Sequence, residues 1–174
     1  MNRLPIVLLL LLAAGPAHAD PGETVPSAVR PLRGWIVRAI AGARPLSPTL
    51  DSQLRQVAAL RLIVYVDDLS DSQATYDGRL SFVGAAGGYR FLRIELRHLS
   101  GASTAAVLAH ELQHVLEVAA SDVRTRRQFE ALYRRIGVVT TGSDGRRYDT
   151  AAAVASGMAA MRELASARRV TDEQ

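Results

Sequence analysis

His110, Glu111 and His114 form the pattern His-Glu-x-x-His inside the run Ala109-His110-Glu111-Leu112-Gln113-His114-Val115-Leu116-Glu117. No Gly, Pro or turn pair interrupts the chain from Ala102 to Ala120, which predicts a helix there. On a helix, side chains four apart share one face with about 6 Å between them. The imidazoles of His110 and His114 can then close on a single metal ion. Zn2+ takes such nitrogens, and a catalytic site gives it three protein ligands and leaves a fourth position for water. That water becomes a nucleophile near neutral pH when a carboxylate stands ready to take its proton. Glu111 follows the first His directly, which turns it about 100° round the helix, to the flank of the metal.

The pentapeptide resembles the signature of the zincin metallopeptidases. That resemblance implies that His110 and His114 are zinc ligands and that Glu111 is the general base. The surroundings fit. With His110 at zero on a helical wheel, Leu108, Leu112, Val115 and Leu116 fall on the opposite side, with Ala105 and Ala109 beside them. Leu-Ala-His-Glu-Leu-Gln-His, followed by Phe-Glu-Ala-Leu-Tyr-Arg-Arg-Ile-Gly and an Ala-rich last helix, looks like small exported bacterial zincin-like proteins over residues 47–165.

Two imidazoles do not complete a catalytic zinc site, so the chain must supply a third donor. No His follows His114, and the Gly-x-x-His continuation of the metzincins is absent. A carboxylate or a water is therefore expected, which favours comparison with the gluzincins, where a Glu comes from a separate, later helix. Asp149 stands where such a carboxylate is expected and is the leading third ligand. Gluzincins use Glu there, and the shorter Asp arm demands a closer approach. Asp149 also competes for the role of N-cap before Thr150-Ala151-Ala152. Glu117 is the rival ligand, seven positions after His110 on the same face. It lies roughly 7–8 Å along the axis from the midpoint of the two imidazoles, which suits an orienting acid better than a ligand. Glu130 can approach the metal or pair with Arg126 or Arg134. Tyr133 and Tyr148 can donate to an oxyanion or pack in the core.

The elements that position these residues follow from composition and pattern. Residues 1–19 read as a secretory signal peptide, with Arg3, an apolar stretch from Ile6 to Ala14, and a small-x-small site at Ala17-His18-Ala19. The apolar stretch is too short to span a membrane, so no stable membrane insertion is expected after cleavage. Cutting 19 residues from 174 leaves 155, enough for one domain with a real core. With no cysteine, packing must hold an exported fold together, helped by any metal it binds. The 21 basic residues are all Arg and are interspersed with 17 acidic ones, which gives nucleic-acid binding little support.

Residues 20–31 read as a flexible lead-in, 32–43 as a short helix with Trp35 as a packing residue, and 49–60 as a second helix. Leu62 to Val66 is a β-branched run expected to be a buried strand, closed by Asp67-Asp68. Residues 79–83 and 89–96 alternate as a hairpin with Gly84 to Gly88 as the turn, and 89–96 is the candidate edge for an extended substrate. His98 follows in a link. Ser121-Asp122 should cap a helix from Val123 to Ile136 ended by Gly137. Val138 to Thr140 looks extended, and Gly142 to Gly145 is a turn. The last helix runs from Ala151 to about Ala167, with Met158, Met161 and Leu164 as packing residues.

The expected fold is one α+β domain over residues 32–174, of zincin type: a small mixed sheet on the His helix, with further C-terminal helices. The expected activity is zinc-dependent hydrolysis of a peptide or protein substrate, in an exported chain that is periplasmic or secreted. The alternative is a non-catalytic exported module that recognises a cell-envelope partner, its motif holding a structural metal or none.

Overall fold

Two alternating apolar runs build the centre of the sheet. The computed structural model describes residues 28–71, 74–142 and 145–172, so the expected leader and most of the expected lead-in lie outside the described residues. Strands β2 (Leu62–Asp68) and β4 (Tyr89–Leu96) run parallel, with Val64 opposite Leu92 and Val66 opposite Ile94. Because alternate residues of a strand face opposite sides, Leu62, Val64 and Val66 join Leu92, Ile94 and Leu96 on one fully buried face. Strand β1 (Val29–Pro31) lies parallel to β2, and β3 (Gly78–Ala86) lies antiparallel to β4, giving the order β1-β2-β4-β3.

Against the buried face pack helices α1 (Gly34–Ala43), α2 (Pro48–Ala58) and α3 (Gly101–Ala119), which add Ile36, Ile40, Leu50, Leu54, Leu108 and Leu112 to the same core. Helix α4 (Arg126–Ile136), the hairpin β5 (Val138–Gly142) and β6 (Gly145–Asp149), and helix α5 (Ala151–Asp172) complete the described residues. The described residues are thus α+β, with a small mixed sheet and five α-helices.

Several expectations are corrected. Residues 29–31 of the lead-in form a strand, because the Ala28 and Val66 carbonyls accept from Val64 and Leu32 at 2.8 Å each. Pro31 is tolerated there because β1 is an edge. Strand 89–96 is interior, and the edge beside it is β3. The cause is burial: β4 carries three fully buried side chains and needs a neighbour on each side, whereas β3 has none. Most of the expected Gly-rich turn belongs to β3, which bulges between Phe82 and Gly84 and turns only at Gly87 and Gly88, with φ of +58° and +79°.

Helix α4 starts later than expected. Thr125, not Ser121 or Asp122, accepts from the backbone N–H of Gln128 at 3.2 Å, while Val123 is drawn into the core ahead of the helix. Arg90 ends α3 by donating to the carbonyls of Val118, Ala119 and Ser121. On α5, Leu164 packs as expected, but Met158 and Met161 are exposed.

One carboxylate ties the end of the chain to the middle. Glu163 of α5 accepts from the hydroxyls of Ser47 and Thr49 at 2.6 and 2.7 Å and from the Thr49 N–H at 3.2 Å. An anion at the first turn of α2 is also favoured by the helix dipole. Burial raises the Glu163 pKa, but these bonds outweigh it and hold the carboxyl below its ordinary value. A lowered carboxyl pKa stabilises the fold above the unfolded pKa, and that contribution is lost as pH falls through the folded one. Water screens a partly exposed carboxylate, so Glu163→Ala should cost about 1 kcal/mol at neutral pH, through the lost hydrogen bonds. Urea unfolding should show this gap closing as the pH is taken below about 4.

Candidate metal centre

Helix α3 carries its apolar residues on the face that meets the sheet and its imidazoles on the face that meets α5 and the end of β6. Ala105, Leu108, Leu112 and Val115 are buried against the core. His110 and His114, one turn apart, meet edge to face with ring centroids 5.0 Å apart. Asp149, the last residue of β6, reaches in from the other side. Its Oδ1 lies 3.3 Å from His110 Nε2 and 3.7 Å from His114 Nε2. One donor atom from each of the three residues falls within 4.8 Å of the others, a group that could hold a metal ion. Two ligand atoms each about 2.0–2.1 Å from a tetrahedral ion stand about 3.3–3.4 Å apart, so the spacing suits that geometry.

The capping falls to the next residue, while Asp149 Oδ1 also accepts from the Thr150 N–H at 2.7 Å, which fixes the carboxylate. Thr150 Oγ1 accepts from the Ala153 N–H at 3.1 Å and so caps α5. The same hydroxyl donates to Glu117 Oε1 at 2.5 Å, and Glu117 Oε2 lies 2.8 Å from His114 Nδ1. Glu117 thus orients an imidazole and stands outside the donor group. With Nδ1–H donated to Glu117, Nε2 of His114 keeps its lone pair for a metal. Tyr133 lies edge to face against His114 and donates its hydroxyl to the His114 carbonyl at 3.0 Å, so it is a positioning residue in the core. Tyr148 is half-buried and lines the cleft beside Asp149.

Glu111 lies beneath the edge strand. Its carboxylate accepts from the Leu80 N–H, and a Cβ built on Gly78 would come within 2.6 Å of its Oε1 and of Val107 Cγ1. Only a glycine lets β3 settle this close to α3. Burial pushes the Glu111 carboxyl up, helped by the charge of Asp149 and opposed by His114 and the Leu80 N–H, to about 7. Burial also lowers the His110 pKa, against the pull of Asp149. The His114 pKa is raised: burial opposes protonation, but Glu117, Glu111 and Asp149 together outweigh it. Glu117 is held below its ordinary value, burial being outweighed by its bonds to His114 and Thr150.

Other ionisable side chains fall elsewhere. Glu130 pairs with Arg126 at 3.2 Å. His98 is exposed and stacks on Trp35, ring centroids 4.5 Å apart, and Asp67 pairs with Arg33 at 2.9 Å. Thr150 and Gly78 were not singled out from sequence. A Thr directly before an Ala-rich helix was the available signal for the first, and nothing local marks the second. The three donors open onto a cleft of about 1460 Å³ bounded by β3, α4 and α5.

No protein-family model, curated protein or solved structure matches the chain.

The contact between β3 and α3 is checked by paired substitutions. Gly78→Val should cost about 1–3 kcal/mol in urea unfolding, the usual penalty for overpacking. Gly84→Val, where a Cβ meets nothing within 4 Å, should change stability by less than about 0.5 kcal/mol.

Proposed function

We propose that the protein is a zinc-dependent hydrolase of zincin type that cleaves peptide bonds, exported after removal of residues 1–19. One observation carries this reading: a carboxylate from a distant part of the chain meets both imidazoles of His-Glu-x-x-His at ligand spacing, with Glu111 beside them. His110, His114 and Asp149 would hold the ion. When bound, Zn2+ supplies a Lewis acid that makes water nucleophilic near pH 7 and polarises a carbonyl.

The remaining work belongs to the chain. Glu111, with its carboxyl raised to about 7, can take the proton of the attacking water and hand it to the leaving amine. Its bond from Leu80 fixes the carboxylate against rotation. Glu117 and Tyr133 hold the His114 ring in place. Strand β3, the edge beside Glu111, offers unpaired backbone groups to which an extended segment can add as a further strand.

Metal analysis and a peptide digest test the proposal together. The purified mature chain should carry about one zinc, and His114→Ala should abolish binding. Glu117→Gln should weaken the affinity about 10–100-fold. Glu111→Gln should keep the zinc and lose hydrolysis. A Glu111→Gln protein that cuts as fast as wild type would remove Glu111 from the mechanism, and a zinc-replete chain without zinc would remove the hydrolase.

A further inference from the structure

The cleft has two unlike walls. On one, α5 presents Val154, Met158 and Met161, spaced four and three apart and therefore within about 60° of arc. They are 41%, 56% and 38% exposed. The core contacts of α5 are made by Ala153, Ala160 and Leu164, on a different face, so the exposed stripe is not needed to dock the helix. Met is also the apolar side chain that adapts most readily to varied partners.

On the other wall, α4 presents Arg126, Glu130 and Arg134, one turn apart. Arg126 and Glu130 neutralise each other. The charged residues that β3 and its approach bring to the cleft are likewise balanced, Asp77 by Arg97 at 3.0 Å and Arg79 by Glu95 at 2.5 Å. Among the described residues, Arg134 has no carboxylate partner. Outside the metal donors and Glu111, it is the unbalanced charge among the described residues that line the cleft.

The donors lie between these walls. Gly157 sits against Ala106 and His110, which places Met158 and Met161 beside the N-terminal half of α3. Tyr133 sits against His114, which places Arg134 toward the C-terminal half. A volume of about 1460 Å³ exceeds the roughly 300–1,000 Å³ of small-molecule pockets and suits a run of residues.

We propose, resting on the hydrolase reading for the bond that is cut, that the occupant is a polypeptide segment with asymmetric flanks. On one side of that bond a bulky apolar side chain packs on Val154, Met158 and Met161. On the other side a carboxylate, from an acidic residue or a chain terminus, faces Arg134.

The test uses short labelled peptides of one frame, with Leu or Ser on one side of a central bond and Glu or Lys on the other. All have amidated ends, and each pair is made in both orders. A further peptide replaces the Glu by a free C-terminal carboxylate. Binding to zinc-loaded Glu111→Gln protein is read by fluorescence anisotropy, and cutting by the zinc-loaded wild type is read by mass spectrometry.

In one of the two orders, the Leu/Glu peptide should bind about tenfold more tightly than Ser/Glu and about fivefold more tightly than Leu/Lys. Met158→Ser with Met161→Ser should erase the first preference, and Arg134→Glu should reverse the second. These side chains are exposed, so circular dichroism should be unchanged. Binding of the free-acid peptide in place of Leu/Glu would identify the carboxylate as a terminus. Equal binding of all peptides, no binding, or preferences that survive the substitutions would overturn the proposal. Preferences without cutting would leave the recognition standing and remove the hydrolase.

Discussion

Glu117 is the residue on which the geometry of the site turns. One oxygen holds His114 Nδ1 at 2.8 Å and the other receives the Thr150 hydroxyl at 2.5 Å. Thr150 is also the cap of α5, so the carboxylate that orients an imidazole on α3 anchors the start of the helix that crosses it. Asp149 is the residue immediately before Thr150, and its position follows from that anchor. Two turns further on, Gly157 lies close against α3, where a Cβ would come within 3.2 Å of the Ala106 carbonyl oxygen and of His110 Cβ. Two fixed points along α5 set its approach to α3, and the distances from Asp149 to the imidazoles follow from helix packing.

How much of this was legible in the sequence divides along the range of the interactions. His110, Glu111 and His114 are readable because helical spacing is local; Leu108, Leu112 and Val115 are buried as the wheel expects, but so are Glu111 and His114, and Leu116 is only half-buried. Asp149 was readable as a carboxylate ahead of a later helix, and Glu117 as an acid placed better to orient an imidazole than to be a ligand. The edge of the sheet was not readable. Alternation in residues 89–96 reports one buried face and is silent on whether a strand has one neighbour or two. The exposure of Met158 and Met161 was hidden for a similar reason: an apolar helical residue reads as core unless the facing element is known, and their side of α5 faces a cleft. Gly78 carries no local mark, because its role exists only when β3 lies on Glu111.

That contact explains why the candidate base is so deeply covered. Glu111 and His114 are each only 5% exposed, although both border a wide cleft. β3 roofs Glu111 through a glycine and gives it one backbone donor. A carboxylate with a single donor and little water is poorly solvated, and its proton affinity rises. A group that must both accept and release a proton near neutral pH works best with a pKa close to that pH. The closeness of β3 therefore supplies two things at once: a rigid carboxylate and a proton affinity suited to exchange.

The same environment carries an electrostatic cost that a cation would relieve. Glu111, Glu117 and Asp149 converge on two imidazoles, and Asp149 raises the Glu111 pKa through repulsion as well as burial. Among the described residues, the side chain of opposite tendency that faces all three carboxylates is His114, whose affinity for a proton they raise. A core built for stability alone would replace such a cluster with apolar side chains of similar volume. A divalent ion at His110, His114 and Asp149 would offset the carboxylate charge directly, without a proton on His114. Metal binding and folding would then be linked through the same five side chains. Their arrangement is one that burial disfavours for the protein alone and a bound cation would favour.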